Sequence, residues 1–281
     1  MRVSLSGYDA WRKRLSTPSC VNRKRLAALV RDCYFENRRR YGSRRIRAVL
    51  QKSGVGIGRF RIRRLMKEQG LKAIQSKIFT PRTTDSRGTS AAPNLLAEVK
   101  SQDAAVGQII VGDITYIRLR NGKFCYLAIW QDKVSRRIIG WSLSPLMTAQ
   151  IVVSALRKAL RKGLIKAGAI VHSDRGSQYA SNEFRLLLQQ NGLRQSMSAT
   201  GNCYDNAQAE SFFSRFKTEL IEDGVFEDIE QARSEIFSYI EGYYNRIRLH
   251  SSLGYKSPIQ YELELTTTNG GEKESFLSTF S

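Results

Sequence analysis

The chain has 281 residues, of which 41% are hydrophobic, so it is long enough for two domains and apolar enough to bury a core. Its formal net charge is +21, from 46 Lys and Arg against 25 Asp and Glu, and this excess is uneven. Residues 1–90 carry 24 basic and 5 acidic side chains, whereas residues 91–281 carry 22 and 20. A basic first third joined to a nearly neutral remainder indicates a module that binds a polyanion; the alternative is a merely soluble surface.

The cysteines and the apolar runs exclude several protein classes. The four cysteines, at positions 20, 33, 125 and 203, form no Cys-x-x-Cys pair, which argues against a zinc site or a disulfide framework. No apolar run reaches the roughly 18 residues of a membrane-spanning helix, and the first residues lack the apolar core of a signal peptide. We therefore expect a cytoplasmic protein with no membrane partner.

The first third of the chain predicts a small helical domain. Apolar residues recur at helical spacing over residues 22–38, a second helix begins near Ser43 as its expected N-cap, and a third covers residues 59–69. We expect Phe60 to join the buried stripe of the third helix. Helix, glycine-rich turn and helix in a basic setting predict a helix-turn-helix, with a basic bundle of no specific ligand as the alternative. The candidate DNA-binding side chains are Arg44, Arg45, Arg59, Arg61, Arg63, Arg64 and Lys67.

The rest of the chain predicts a linker, an α/β domain and a tail. Residues 77–98 lose hydrophobic periodicity and are the predicted linker, residues 99–262 are the second domain, and residues 263–281 are expected to be disordered. Short turns join the first three strands, so they are expected to be antiparallel, and the pattern supports a mixed sheet. The predicted strands cover residues 107–119, 123–131, 136–144, 167–172 and 193–197; the predicted helices cover residues 148–162, 182–190, 205–220 and 229–248.

Three acidic side chains stand out in this domain. Asp113 interrupts an apolar, β-branched strand, and burying a lone carboxylate costs several kcal/mol unless it is paired or bound to a metal. Asp174 follows a short apolar strand and precedes a glycine turn, and Glu210 lies at the edge of the buried face of its helix. We therefore expect the three acids to converge and to share cations.

The motifs around these acids resemble those of a known family. They read Val-Gly-Asp113-Ile-Thr-Tyr, His-Ser-Asp174-Arg-Gly-Ser-Gln-Tyr and Ala-Gln-Ala-Glu210-Ser-Phe-Phe, with thirty-five residues between the second Asp and the Glu. The ordered set is similar to the catalytic core of bacterial insertion-sequence transposases, in the superfamily that includes retroviral integrases. It most resembles the second-frame product (OrfB) of the IS-three family, over about residues 3–262.

The resemblance implies a fold and a reaction. The implied fold is a ribonuclease-H-like integrase core with a mixed five-stranded sheet flanked by helices, preceded by an all-α helix-turn-helix domain over residues 1–76. The implied reaction is metal-dependent 3′-end cleavage and strand transfer of DNA, with Asp113, Asp174 and Glu210 holding two Mg²⁺ or Mn²⁺ ions; oxygen ligands favour these ions over zinc. Arg175 and Lys217 are further candidate DNA contacts, Lys217 because it shares a helix face with Glu210.

The resemblance also implies partners. These are DNA, as element ends and target, further copies of the chain on DNA, and the first-frame (OrfA) protein or an OrfAB fusion; the expected location is the bacterial cytoplasm, in association with the nucleoid. Two alternative functions stay open. One is a catalytically silent DNA-binding regulator that needs the first-frame product, and the other is a ribonuclease-H-like nuclease.

Other chemically able residues are interpreted as structural. Asp132 is predicted to serve a turn or an ion pair, and His172 is predicted to be packed beside the second acid rather than to bind metal. Residues 196–206 are expected to form a mobile loop that delivers Glu210. The aromatic stripe of the last helix is predicted to be core, with Arg246 and Arg248 left as candidate phosphate contacts.

Overall fold

The protein is divided into two compact units, residues 1–75 and residues 76–281. Most of the predicted linker lies outside the residues that the structure describes. Within the described ranges, no helix combines the length and apolarity needed to cross a membrane. The structure is a computed structural model, and it describes residues 4–13, 18–74, 92–97, 99, 104–198, 207–221 and 226–277.

The first unit consists of helices. They are α1 (Leu5–Lys13), α2 (Pro18–Glu36), α3 (Ser43–Lys52) and α4 (Arg59–Glu68). Helix α2 packs against both α3 and α4, and Val30, Ile46 and Ile62 are completely buried between them. The predicted role of Ser43 as N-cap is wrong, because Ser43 is already the first helical residue. The cap position is Gly42, which has an extended backbone and no side chain to cap the helix.

Helix α4 does not bury Phe60, contrary to the prediction. Phe60 is 73% exposed, whereas Ile62, Leu65 and Met66 form the buried face. Each residue advances about 100° around a helix, so Phe60 is turned about 200° away from Ile62 and cannot share its face. The Arg59 guanidinium lies 4.9 Å from the Phe60 ring centroid, an arrangement that holds a cation and an aromatic ring together at the surface.

The second unit is built on one five-stranded sheet with the strand order β3-β2-β1-β4-β5. Strands β1, β2 and β3 pair antiparallel, while β4 pairs parallel with both β1 and β5, so the predicted mixed sheet is confirmed. Strand β1 is central. The strands are β1 (Ile109–Arg118), β2 (Phe124–Asp132), β3 (Ile138–Ser144), β4 (Ile170–Ser173) and β5 (Arg194–Met197).

Helices cover both faces of this sheet. One core cluster joins the sheet to α5 and α6, and a second joins it to α7 and α8. The predicted single helix over residues 229–248 is instead α8 followed by a π-helix, Ser238–Tyr244. The helices are α5 (Ala149–Arg161), α6 (Asn182–Gln190), α7 (Ala207–Leu220), α8 (Ile229–Phe237) and α9 (Pro258–Leu277), with 3-10 turns at Leu95–Ala97 and Ser251–Leu253.

Side-chain alternation along β1 decides which face receives the first acid. Ile110 belongs to the cluster with α5 and α6, whereas Val111 and Ile117 belong to the cluster with α7 and α8. Successive side chains of a strand point to opposite faces, so Asp113 has the same direction as Val111 and Ile117. Asp113 therefore faces the helical layer that contains Glu210.

The turn between β2 and β3 is held by Asp132. Its carboxylate accepts hydrogen bonds from the backbone N–H groups of Gly107 at 2.6 Å, Val134 at 2.9 Å and Ser135 at 2.7 Å. This arrangement confirms that Asp132 serves a turn. Arg136 follows with a left-handed φ of 61°, so β3 begins two residues later than predicted.

Helix α9 extends into the segment predicted to be disordered. Glu262, in its first turns, accepts hydrogen bonds from Ser135 Oγ at 2.7 Å and from Arg137 Nη1 at 2.5 Å. Once such contacts fix the first turns, each further residue of a helix adds one backbone hydrogen bond. The backbone is helical as far as Leu277, in contrast to the expected tail over residues 263–281, of which residues 278–281 lie outside the described ranges.

A candidate carboxylate site at the centre of the sheet

Asp113 carries the most perturbed carboxyl group in the centre of the sheet. Its Oδ1 accepts a hydrogen bond from the backbone N–H of Ile114 at 2.8 Å. Burial raises the pKa of Asp113 to about 8, with further raising by the charges of Asp174 and Glu210, against lowering by the Ile114 N–H and by Lys217. At neutral pH this carboxyl group is therefore mostly protonated when no cation is near.

Asp174 is the immediate neighbour of Asp113. It follows the last residue of β4, whose parallel register with β1 pairs Val111 with His172. Continuing this register by two residues sets Asp174 beside Asp113, roughly one strand spacing (~4.8 Å) away. The Gly176 N–H donates to Asp174 Oδ1 at 3.0 Å, and a Cβ on Gly176 would lie only 3.0 Å from that oxygen. Burial raises the pKa of Asp174, and the Gly176 N–H opposes that rise.

Helix α7 brings one acid and one base to the same region. Glu210 is exposed in the first turn, beside the completely buried Ala209. Lys217 is half-buried two turns later, and its Nζ lies 4.5 Å from the centroid of the Tyr116 ring. Burial lowers the pKa of Lys217, whereas the charge of Asp113 raises it. The predicted common face of Glu210 and Lys217 thus approaches Asp113.

The three acids are not assembled into a cage. In the part of the chain that the structure describes, no three His, Cys, Asp or Glu side chains are arranged to hold a metal ion. Asp113 and Asp174 lie together inside the fold, while Glu210 stays at the rim and acts on Asp113 only through its charge. Residues 199–206, most of the loop expected to deliver Glu210, lie outside the described ranges.

The residues present nevertheless fit a divalent cation. Two neighbouring carboxylates in a buried position repel each other unless a proton or a cation lies between them. Their donors are all oxygens, which suit Mg²⁺ or Mn²⁺. His172 does not compete as a ligand, because it is completely buried and its ring nitrogens are bonded to Ser196 Oγ at 2.9 Å and Ser198 Oγ at 3.1 Å. The prediction that His172 is a packed residue is confirmed.

The basic candidates of the first unit differ in their partners. Arg64 forms an ion pair with Glu68 at 2.9 Å, and Arg59 and Arg45 each lie over an aromatic ring. The other candidates are exposed and have no partner in the described part of the chain: Arg44, Arg61, Arg63 and Lys67. These four side chains are the ones whose positive charge is not already committed to a neighbour.

Arg175, the basic candidate beside the second acid, is partly committed to the fold. Its Nε donates to the backbone carbonyl of Ser198 at 2.9 Å, and its side chain is half-buried. This bond ties the turn after β4 to the residue that follows β5. The remaining guanidinium donors of Arg175 leave its role as a DNA contact a prediction.

The sequence interpretation missed a buried ion pair at the other end of α7. Arg248 donates to Glu219 from Nε at 3.0 and 3.2 Å and from Nη2 at 2.8 Å, and the Tyr239 hydroxyl donates to Glu219 at 3.0 Å. All three residues are buried, so the suggestion that Arg248 contacts phosphate is wrong. The signal was present, because Glu219 lies three residues after the buried Phe216, within the apolar face of α7.

Family profiles match most of the chain. A profile described as "Integrase core domain" matches residues 103–203, and a second profile with that description matches residues 191–258. A profile described as "HTH-like domain" matches residues 21–79.

The relatives are similar over nearly their whole length. The transposase for insertion sequence element IS904 of Lactococcus lactis subsp. lactis is 39% identical over 242 residues, which cover 86% of this chain and 95% of that protein. Transposase InsF for insertion sequence IS3A of Escherichia coli K12 is 39% identical over 265 residues, covering 93% and 91%. The catalytic core domain of HTLV-2 integrase, solved with magnesium, has 16% identity and a TM-score of 0.43, covering 56% of this chain and 96% of that one.

Proposed function

Because this chain belongs to the insertion-sequence transposases with an integrase core domain, and is thus a DNA transposase, we propose that Asp113, Asp174 and Glu210 are its catalytic acids. The reaction is metal-dependent cleavage at the 3′ ends of the element followed by strand transfer. One observation carries the assignment. Asp174 and Glu210 are the two acids whose charges raise the pKa of the buried Asp113, so the three carboxylates act on one small region.

Asp113, Asp174 and Glu210 would together hold two divalent ions, Mg²⁺ or Mn²⁺. Bound divalent ions activate an attacking oxygen and stabilise the charge of the leaving oxygen in phosphodiester chemistry. The contribution of the protein is placement. Asp113 lies on the central strand, Asp174 is fixed by the Gly176 N–H, and Glu210 lies on a helix with a buried face.

Two basic side chains near the acids would hold the DNA. Lys217 is half-buried, is held over the Tyr116 ring and is close enough to Asp113 to perturb its pKa, so it suits a phosphate at the element end. Arg175 is anchored through Nε to Ser198, which leaves its Nη groups to donate to a second phosphate. Both contacts place the DNA backbone against the carboxylate region.

The first unit supplies further DNA contacts in this proposal. DNA is the partner that an HTH-like domain and a transposase core have in common. The exposed cations of α3 and α4 without a partner in the described residues, Arg44, Arg61, Arg63 and Lys67, are the best candidates for phosphate contacts; Arg45, Arg59 and Arg64 are weaker ones. The same proposal includes assembly of several copies on DNA, a first-frame (OrfA) partner or OrfAB fusion, and a cytoplasmic, nucleoid-associated location.

The test is a strand-transfer assay with variants in which each acid is replaced by the amide of the same shape. Asp113→Asn, Asp174→Asn and Glu210→Gln should each abolish joining of labelled element ends to target DNA in Mg²⁺, with salt-sensitive DNA binding nearly unchanged. Glu235→Gln is the matched control, because Glu235 is exposed on α8 with no partner in the described residues and should keep wild-type joining.

Residual joining near the wild-type rate in any acid variant contradicts that acid's assignment. Wild-type protein that binds element ends but never joins them, with or without the upstream-frame product, would instead support a silent regulator. Cleavage of RNA–DNA hybrids without preference for element ends would support a nuclease.

A further inference from the structure

Tyr179 lies close to Asp174 in a rigid setting. A Cβ built on Gly176 would lie 3.5 Å from the Tyr179 ring and 3.0 Å from Asp174 Oδ1, so ring and carboxylate flank the same glycine. The centroid of the Tyr179 ring is 5.8 Å from that of Trp130 and 5.8 Å from that of Phe184, in edge-to-face contacts, and the residue is 1% exposed. Its backbone is fixed as well, since its N–H donates to the Gly176 carbonyl at 3.0 Å and its carbonyl accepts from Gln195 Nε2 at 2.7 Å. The ring therefore has little freedom to move away.

The hydroxyl of this residue is an anomaly. It is completely buried and has no hydrogen-bond partner among the described residues. An unpaired buried hydroxyl costs about 1–3 kcal/mol, and native proteins pair nearly all of them. A phenylalanine would fill the same aromatic pocket without that cost, so packing explains the ring and leaves the oxygen unexplained.

The acids supply the missing explanation. Burial, and then the charges of Asp174 and Asp113, raise the pKa of Tyr179 well above its ordinary value, so the oxygen stays protonated and can only donate to a carboxylate. Asp113 and Asp174 each receive one backbone N–H, and both those bonds end on Oδ1. In the described structure each carboxylate thus keeps an Oδ2 without a donor. The Tyr179 hydroxyl, a donor without an acceptor, lies within range of the charges of both carboxylates.

We propose that Tyr179 is a positioning residue whose hydroxyl donates a hydrogen bond to the Asp174 carboxylate when a divalent cation is bound, and so fixes which oxygen meets the cation. This inference rests on the proposed function, in which Asp174 is a ligand. The small rearrangement that it needs is at the acid, whose turn carries Gly176, and not at the packed tyrosine ring.

The experiment uses the full-length chain and the variant Tyr179→Phe, which removes one oxygen and keeps the ring. Two quantities are measured: Mn²⁺ affinity by calorimetry or electron paramagnetic resonance, and the urea midpoint in EDTA. We expect Mn²⁺ affinity to fall about tenfold or more, the size typical for loss of a group that orients a metal ligand. The urea midpoint in EDTA should stay the same or rise, because an unpaired buried hydroxyl is removed.

Tyr239→Phe is the matched control. It makes the same chemical change at another buried tyrosine, whose hydroxyl does have a partner, Glu219 at 3.0 Å. That variant should lower the urea midpoint and leave Mn²⁺ affinity unchanged. Opposite signs for the two variants would support a positioning role for Tyr179.

Other outcomes overturn the inference. Wild-type Mn²⁺ affinity in Tyr179→Phe, at any stability, shows that the hydroxyl does not act on the site. A lowered urea midpoint like that of Tyr239→Phe shows a structural bond instead. The variant Asp113→Asn separates this failure from that of the proposed function. If Asp113→Asn binds Mn²⁺ as wild type does, or if wild type binds no Mn²⁺, both proposals fall. If Asp113→Asn loses Mn²⁺ affinity and Tyr179→Phe does not, only the Tyr179 inference falls.

Discussion

Without a divalent cation, Asp113 should make the folded protein less stable as the pH rises. Its pKa is about 8 in the folded protein and about 3.9 in an unfolded chain. The folded state therefore keeps a proton that the unfolded state releases. The stability linked to this proton is fully present below pH ~4 and is lost progressively as the pH rises from ~4 through ~8.

The magnitude follows from the difference between the two pKa values. About four units at ~1.4 kcal/mol each give an upper bound of about 5–6 kcal/mol lost between pH 4 and pH 8. Water entering the site and movement of the exposed Glu210 reduce this cost, so we expect about 2–3 kcal/mol. Asp113→Asn cannot ionise and should escape the loss. It should therefore be more stable than wild type by about 2–3 kcal/mol at pH 8 and by about 1.5 kcal/mol at pH 5, and similar to wild type at pH ~4 and below.

The assay is urea unfolding of the full-length chain in EDTA, followed by circular dichroism between pH 4 and pH 8.5, with Glu235→Gln as control. Adding Mg²⁺ at pH 8 should restore the stability of the wild-type protein, because the cation replaces the lost proton. The same addition should change the stability of Asp113→Asn little. An Asp113→Asn profile that falls with pH as steeply as wild type would refute the reasoning. So would Mg²⁺ stabilising the two proteins equally.

The remaining predictions concern the buried pair, a close approach and DNA. Glu219→Gln should cost about 3–5 kcal/mol in urea unfolding, because it leaves Arg248 buried without its counter-charge; a loss under 1 kcal/mol would contradict the ion-pair assignment. Gly140→Ala should cost about 3 kcal/mol or more of folding stability, above the usual ~1–3 kcal/mol for overpacking, because its Cβ would lie 2.2 Å from the backbone oxygen of Ala155 in α5. Thermal unfolding measures this cost, and an unchanged stability would contradict the close contact between Gly140 and α5. Arg63→Ala should reduce the slope of log affinity for DNA against log salt by about 0.9, with a smaller change for the ion-paired Arg64→Ala; equal slopes would exclude a phosphate contact by Arg63.

The acidic pair could be predicted from local pattern, because strand periodicity is a short-range property. Asp113 breaks an apolar strand, and Asp174 ends a neighbouring one, so their meeting needed only the sheet order. The position of Glu210 at the rim could not be derived in the same way. Its helix follows residues 199–206, whose course no periodicity fixes, and the charge repulsion between three acids acts only once the chain has folded.

Two other errors concern side chains that were assigned by their chemical type alone. Phe60 was assigned to the core on its apolarity, although the face of α4 was already filled by residues at the proper angle. Arg248 was assigned to the surface on its charge, although Glu219 provides a buried counter-charge 29 positions earlier. The angle of about 100° per residue already separates Phe60 from the buried face of α4, and the acid within the apolar face of α7 already indicates a buried counter-charge. Only the identity of that counter-charge could not be read from one helix, because Arg248 lies on another element.

The ion pair between Arg248 and Glu219 also determines how far the second unit can be shortened from its C-terminal end. A fragment that stops at residue 221 would contain Asp113, Asp174 and Glu210, yet it would lack Arg248 and the whole of α8. Helix α7 would then have an apolar face without its cover and a carboxylate without its cation. Activity in a minimal fragment should therefore require the closing segment, although no proposed catalytic group lies in it.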